Sequence, residues 1–303
     1  MNIAKNGLTG LAAALLIFGT VTVTNADKKS QAAALGEKGN ELAKAQKFDE
    51  AIAEFTKAIA LTPGDGRLYN NRARIYRDAG KITEALADFT KAIELTPKDD
   101  RLYNNRGRVH RDAGKLPEAL ADFTKSIEVA PKSEIGYIER GQTLMMQNQF
   151  DAALADYTKA VELNPNNPVC YDRRGFAFYN LKKYNEAIAD YTTSIEKKPD
   201  NPTTFSRRAD ANVALNKFTE ALPDLEKALS LKPGDFETTQ RIAFVKGKLA
   251  PAPPPQVAVA PVATPAPTPK AMDMRMKIGL GAAALVVLAI IVIIIARKKS
   301  RGY

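Results

Sequence analysis

Residues 66–99 read GRLYNNRARIYRDAGKITEALADFTKAIELTPKD, and residues 100–133 read DRLYNNRGRVHRDAGKLPEALADFTKSIEVAPKS. The two stretches are the same at 24 of 34 places. A proline closes each, and the same proline recurs at 34-residue intervals as Pro63, Pro97, Pro131, Pro165, Pro199 and Pro233. Self-similarity at a fixed period of this length is the signature of a repeat architecture. Framed on the prolines, six repeats run 32–65, 66–99, 100–133, 134–167, 168–201 and 202–235.

Three places within the repeat carry the packing signal. The twentieth is Ala51, Ala85, Ala119, Ala153, Ala187 and Ala221, small enough for two helices to approach closely. The twenty-fourth is Phe55, Phe89, Phe123, Tyr157, Tyr191 and Leu225, and the eighth is Gly39, Ala73, Gly107, Gly141, Gly175 and Ala209. Each repeat ends on Asp65, Asp99, Ser133, Asn167, Asn201 or Asp235, all good N-caps for a following helix. Gly80, Gly114, Asn148 and Asn216 suit the end of that first helix, and Asp49, Thr83, Asp151, Asn185 and Thr219 are expected to cap a second. Each repeat is therefore an antiparallel helix pair, here called A and B.

Period, prolines, small residues and aromatics together resemble the tetratricopeptide-repeat (TPR) family over some 200 residues. The resemblance implies an all-α fold, a right-handed α-solenoid of six TPR helix pairs, with Phe236–Leu249 (236–249) as a capping helix. A solenoid buries its core only by stacking repeats and needs such caps at its ends. Repeats two to six pair Arg72, Arg106, Arg140, Arg174 and Arg208 at the seventh place with Asp88, Asp122, Asp156, Asp190 and Asp224 at the twenty-third. Repeat one has Lys38 and Glu54 there, so both members change while keeping their signs, and a structural ladder of ion pairs is expected.

The resemblance also implies a concave face lined by the A helices, where a peptide lies. Repeats two and three present Arg67, Asn70, Asn71, Arg74 and Arg77, then Arg101, Asn104, Asn105, Arg108 and Arg111. Repeats four and five place Ile135, Ile138, Met145, Met146, Val169, Phe176 and Tyr179 there instead. A groove that changes from basic and amide-rich to apolar suits an extended segment carrying carboxylates followed by apolar side chains. The carboxylate clamp of chaperone-binding members is matched only in part. Asn40 and Asn71 fall in its asparagine places and Arg101 replaces a lysine, but Gly36 and Asn105 stand where it has a lysine and an arginine. Chaperone binding is not expected.

The ends are different in kind. Residues 1–26 have the layout of a signal peptide or signal anchor: Lys5, an uncharged run from Leu8 to Val23, then Thr24-Asn25-Ala26 before Asp27. Residues 278–296 are 19 consecutive uncharged, mostly aliphatic residues, read as a separate single transmembrane helix. Residues 250–277 are a Pro/Ala-rich linker, and residues 297–303 a basic tail that belongs on the cytoplasmic side. The net charge of +10 sits mostly in these ends, since the middle holds 34 basic against 32 acidic residues. Nucleic-acid binding is therefore not expected.

The reading that results is a membrane-tethered scaffold, in a bacterial inner membrane, with its repeats in the periplasm and its C-terminus in the cytoplasm. Its partner is a protein or peptide, and it uses no cofactor, metal or small-molecule substrate. Cys170 and His110 are the only cysteine and histidine, and no P-loop, HExxH pair or Cys–His arrangement occurs, so no enzyme is expected. Two alternatives stand beside this: a surface-sorted or released protein whose C-terminal helix is a processing signal, and a regulatory subunit of an exported enzyme.

Overall fold

The structure, a computed structural model, describes residues 24–250. These form thirteen helices: α1 (Asn25–Lys44), α2 (Phe48–Leu61), α3 (Gly66–Asp78), α4 (Ile82–Leu95), α5 (Asp100–Asp112), α6 (Leu116–Val129), α7 (Glu134–Met146), α8 (Phe150–Leu163), α9 (Pro168–Asn180), α10 (Tyr184–Lys197), α11 (Pro202–Ala214), α12 (Phe218–Leu231) and α13 (Phe236–Leu249). Residues 251–277 of the expected linker, the expected span 278–296 and the basic tail lie outside the described residues, as do residues 1–23 of the expected signal segment. Among the described residues no helix is long and apolar enough to cross a membrane.

Each odd helix packs on the even helix that follows, and each even helix on the next odd one. From α3 to α11 the odd helices also approach one another more closely than the even ones do. The A helices therefore form the inner layer of a solenoid, and its concave face.

The junctions follow from two local devices. Asp65, Asp99, Ser133, Asn167 and Asn201 each accept the backbone N–H two residues on, and Asp235 accepts that of Thr238. At the A-to-B turn, Gln46, Gly80, Gly114, Asn148, Lys182 and Asn216 take positive φ between 57° and 75°. The N–H after each bonds back to the carbonyl five residues earlier, as Lys81 does to Tyr76 and Lys115 to His110. This is the Schellman termination.

That turn corrects the expected helix-B caps. The N-caps are Lys47, Lys81, Lys115, Gln149, Lys183 and Lys217, and none makes a side-chain capping bond. The residue that completes the Schellman turn itself begins helix B, so Asp49, Thr83, Asp151, Asn185 and Thr219 fall inside its first turn. There Asp49 and Asp151 oppose the positive end of the helix dipole.

Helix α1 begins earlier than residue 32. Thr24 accepts from the Asp27 N–H at 3.1 Å, and the Asp27 carboxylate accepts from the Thr24 N–H at 3.0 Å, a closed capping box. The cleavage point expected after Ala26 thus falls within the first turn of this helix.

The core repeats with the sequence. All six alanines at the twentieth place are fully buried, as are Phe55, Phe89, Phe123 and Tyr191. A Cβ added at Gly107 would stand 2.7 Å from the Phe123 ring, and one at Gly141 2.8 Å from that of Tyr157. Glycine at the eighth place therefore sets how close the two helices come. In the ladder, every Arg–Asp pair is bidentate, with all ten contacts between 2.7 and 2.9 Å. Arg72, Arg106, Arg140 and Arg208 also donate to Thr56, Thr90, Thr124 and Thr192 of the preceding helix B. The ladder therefore joins A to B and one repeat to the next.

Helix α13 seats Val245 and Ile242 against Ala209, Ala221 and Leu225. Phe236, Phe244 and Leu249 are exposed, and Phe244 meets Phe218 edge-on at 6.3 Å. Arg241 pairs with Asp210 and Glu237 and continues a row of groove residues onto the cap.

Candidate functional site

Helical periodicity points the second, fifth, sixth, ninth and twelfth places of each A helix into the concavity. Between α3, α5 and the start of α7 lies a cavity of about 530 Å³. Its walls include Arg67, Asn70, Asn71, Arg74, Arg77, Arg101, Asn104, Asn105, Arg108 and Ile135, so all of the basic half expected from sequence except Arg111 meets there.

The amides form a relay. Asn105 Nδ2 donates to Asn70 Oδ1 at 2.9 Å, and Asn70 Nδ2 donates to Asn71 Oδ1 at 3.2 Å. Asn71 is left with its amide donors and Asn105 with its carbonyl oxygen. Asn104 is 2% exposed, and its Oδ1 is buried with no hydrogen-bond partner. An orphaned buried acceptor is costly and uncommon.

Most of the arginines are already occupied. Arg67 chelates its own helix cap, Asp65, at 3.0 and 2.8 Å, and Arg101 does the same to Asp99 at 2.8 and 2.7 Å. These hydrogen bonds hold both carboxyls below the usual aspartate range. Arg77 pairs with Asp78 at 2.9 Å. Arg108 donates from Nε and Nη2 to Glu139 Oε1 at 2.8 and 2.6 Å, and Arg111 from Nη1 to Oε2 at 2.7 Å. Burial alone would push Glu139 up, but the bonds and charges of Arg108 and Arg111 outweigh it and hold the carboxyl below its ordinary value. Arg74, exposed on the cavity wall, makes no ion pair among the described residues.

The half expected to be apolar is mixed. Ile135, Val169 and Met146 are exposed, and Ile138 is half-buried. Met145 packs onto the cluster of Ala153, Tyr157 and Ala177. Tyr179 meets Tyr184 edge-on at 5.4 Å. Phe176 lies beneath the Arg207 guanidinium, 4.7 Å from the ring centroid, at the edge of a second cavity of about 320 Å³. Charged side chains run through this floor. Asp172 accepts from Thr204 Oγ1 at 3.0 Å and pairs with Arg207, while Asp210 pairs with Arg241 at 3.4 Å and is pushed up by burial.

Glu139, Asp172, Arg173, Arg207 and Asp210 are absent from the sequence reading, although a signal for them exists. Stepping the sixth place by 34 leads from Asn71 and Asn105 to Glu139, Arg173 and Arg207, and then to Arg241 on α13. The apolar neighbours of these residues drew the reading away from them. Arg173 is half-buried, makes no ion pair among the described residues, and has a buried Nε without a hydrogen-bond partner.

Burial pushes the Cys170 thiol up to about 11, and His110 stands beside the ladder, its Nε2 3.9 Å from Asp122. Among the described residues no three His, Cys, Asp or Glu side chains are placed to hold a metal ion.

Comparison with known proteins agrees with this architecture. The chain is 50% identical over 44 residues to the Hsp70-Hsp90 organizing protein of Triticum aestivum and to the Hsp70-Hsp90 organizing protein 1 of Glycine max. That stretch is 14% of this chain and spans only 8% of the length of those relatives. In fold it is similar to pilF of Pseudomonas aeruginosa, with a TM-score of 0.61 at 16% identity over 72% of this chain and 99% of that one. It is similar to the Cut9-Hcn1 assembly of the APC/C, with a TM-score of 0.60 at 17% identity over 71% of this chain and 43% of that one. YrrB, a TPR protein with an unusual peptide-binding site, is 25% identical with a TM-score of 0.50 over 62% of this chain and 96% of its own. Family profiles described as tetratricopeptide repeat match residues 37–100, 89–121, 135–167, 168–201 and 203–235. Since these matches together take in more than half of the sequence, the chain belongs to the tetratricopeptide-repeat family.

Proposed function

We propose that this chain is a membrane-tethered interaction scaffold whose concave face takes an extended, acid-bearing segment of a partner protein. The observation that carries the reading is the cavity between α3 and α5. It combines an unpaired guanidinium, Arg74, with an amide relay open at both ends and a buried orphan acceptor, Asn104. A peptide backbone supplies alternating N–H and C=O groups that match the free ends of such a relay, and a side-chain carboxylate suits Arg74. The exposed Ile135 and Val169 at the edge of the next two repeats offer contact to apolar side chains beyond it. YrrB, similar in fold over most of its length, binds peptide by its own description, which supports this use of the face.

The tether rests on residues 278–296 alone, whose uncharged run is long enough to span a bilayer. Carbonate extraction with protease protection of the repeats tests it, and release into the soluble fraction would favour the processed or secreted form. For the groove, full-length protein in detergent is titrated with a fluorescein-labelled peptide carrying one aspartate amid apolar residues. Arg74→Ala is expected to weaken binding about fivefold, the equivalent of about 1 kcal/mol for a half-solvated charge-assisted bond. Equal affinity for the same peptide with asparagine in place of aspartate would refute the reading.

A further inference from the structure

Every arginine among the described residues forms an ion pair except two, and both lie on the concave face. Arg72, Arg106, Arg140, Arg174 and Arg208 are held in the ladder. Arg67, Arg77 and Arg101 are held by the neighbouring Asp65, Asp78 and Asp99. Arg108, Arg111, Arg207 and Arg241 are held by groove acids of the adjacent repeat. Arg74 on α3 and Arg173 on α9 remain. Arg173 occupies the place that in Asn71 and Asn105 lines the first cavity and in Arg207 and Arg241 the second. Its buried, unpartnered Nε is a donor the fold itself leaves unsatisfied.

An arginine whose donors are committed to a fixed carboxylate lends a ligand only its residual field, whereas an unpaired one offers a directed, bidentate bond. From this we propose that the groove reads spacing. It selects a partner segment with two acidic side chains set about nine residues apart, one on Arg74 and the other on Arg173. The inference rests on the groove reading above and adds a register to it. Neighbouring A helices stand roughly 9–10 Å apart, so three repeats span about 30 Å, which an extended chain covers in about nine residues. The amide relay faces the first part of that span, and the exposed Ile135 and Val169 stand along the later part. A polyanion such as nucleic acid fits less well, because Glu139, Asp172 and Asp210 punctuate the floor where its evenly spaced charges would fall.

The test uses full-length protein in detergent and three fluorescein-labelled peptides of equal length and composition. Each has two aspartates, separated by three, eight or thirteen serine, alanine and isoleucine residues. The eight-residue separation is expected to bind about tenfold tighter than the others, and Arg74→Ala or Arg173→Ala to remove most of that advantage. The two variants should not be additive on a peptide with a single aspartate. Arg173→Ala frees no buried acid and should leave the helical circular dichroism unchanged, while Arg173→Lys, which keeps the charge, should recover part of the binding. If all three peptides bind equally and Arg173→Ala is silent, the register is wrong but the groove stands. If none binds better than an aspartate-free peptide, the groove reading itself fails and the register with it.

Discussion

Glutamate 139 is the side chain whose replacement separates stability from recognition. It sits on α7 with its side chain 11% exposed, and three donors from Arg108 and Arg111 on α5 converge on it, so it fastens repeat three to repeat four. Glu139→Gln keeps the volume and one acceptor but removes the charge that those guanidinium groups surround. Breaking a buried ion pair costs about 3–5 kcal/mol when the remaining charge has nowhere to go. Here Arg108 is about one-third exposed and can turn to the groove water, while Arg111 is mostly enclosed, which brings the loss to roughly 2 kcal/mol. For a domain of this size that is a fall in Tm of about 4–8 °C.

Affinity for an acidic peptide should move the other way. The substitution raises the groove charge by one and frees two guanidinium groups. At about 8 Å and an effective dielectric of roughly 40, an added charge is worth about 1 kcal/mol, or about fivefold in Kd. The acid limb should change as well. The folded Glu139 carboxyl is held below its ordinary 4.5, so its contribution is fully present above that value and is lost as pH falls through the lower, folded one. Thermal unfolding by circular dichroism between pH 3 and 7 and fluorescence anisotropy on the same samples measure all three. A variant whose stability is unchanged would show that the three-donor cluster does not form in solution. If stability and affinity fell together, the freed arginines would not face the ligand.

Three further substitutions probe the scaffold. Gly107→Ala places a Cβ 2.7–3.0 Å from three carbons of the fully buried Phe123 ring, so it should destabilise by about 1–2 kcal/mol despite the better helix propensity of alanine. Gly64→Ala, which meets nothing within 4 Å, should stay within about 0.5 kcal/mol of the parent when both variants are unfolded in urea. Asp122→Ala leaves Arg106 Nε and Nη2 without their acceptors at a buried rung of the ladder, and should cost about 2–3 kcal/mol. Hydrogen exchange should then rise first in α5 and α6; a uniform rise along the whole solenoid would contradict the rung's local role.

What was legible in the sequence and what was not divides along one physical line. The alanines of the twentieth place, the aromatics of the twenty-fourth and the Arg–Asp rungs meet partners at a constant offset, so each repeat writes the same contact again and the period exposes it. The rungs all join residues 16 apart. The groove contacts reuse two offsets but not one set of residue types. An offset of 31 joins Arg108 to Glu139 and, with the charges reversed, Asp210 to Arg241, and one of 35 joins Asn70 to Asn105 and Asp172 to Arg207. A contact whose residue types change from repeat to repeat leaves no run of like residues, which is why the basic half of the groove reads from sequence as a row of free cations. The helix-B caps failed for a different reason. Backbone hydrogen bonds make that turn, and Gln46 and Lys182 serve in it as well as Gly80 does, so side-chain preference identifies only some of its residues.

The same division bears on the selection of acids proposed for this near-neutral solenoid. Its interior places are fixed by neighbour-to-neighbour packing and cannot vary without loss of stability, whereas the concave places contact one another only through polar tips and are free to differ. Variation there has not built a uniform field. From repeat four onward an acid accompanies the arginines at every step, as Glu139, Asp172 and Asp210, and with it the long-range attraction largely cancels. What survives acts within a few ångströms, inside the screening length of about 8 Å at physiological salt. Recognition built in this way depends on which donors remain uncommitted and where they stand. It should therefore be less sensitive to ionic strength than the +10 formal charge of the whole chain suggests, because that excess belongs to the ends of the sequence and not to the repeats.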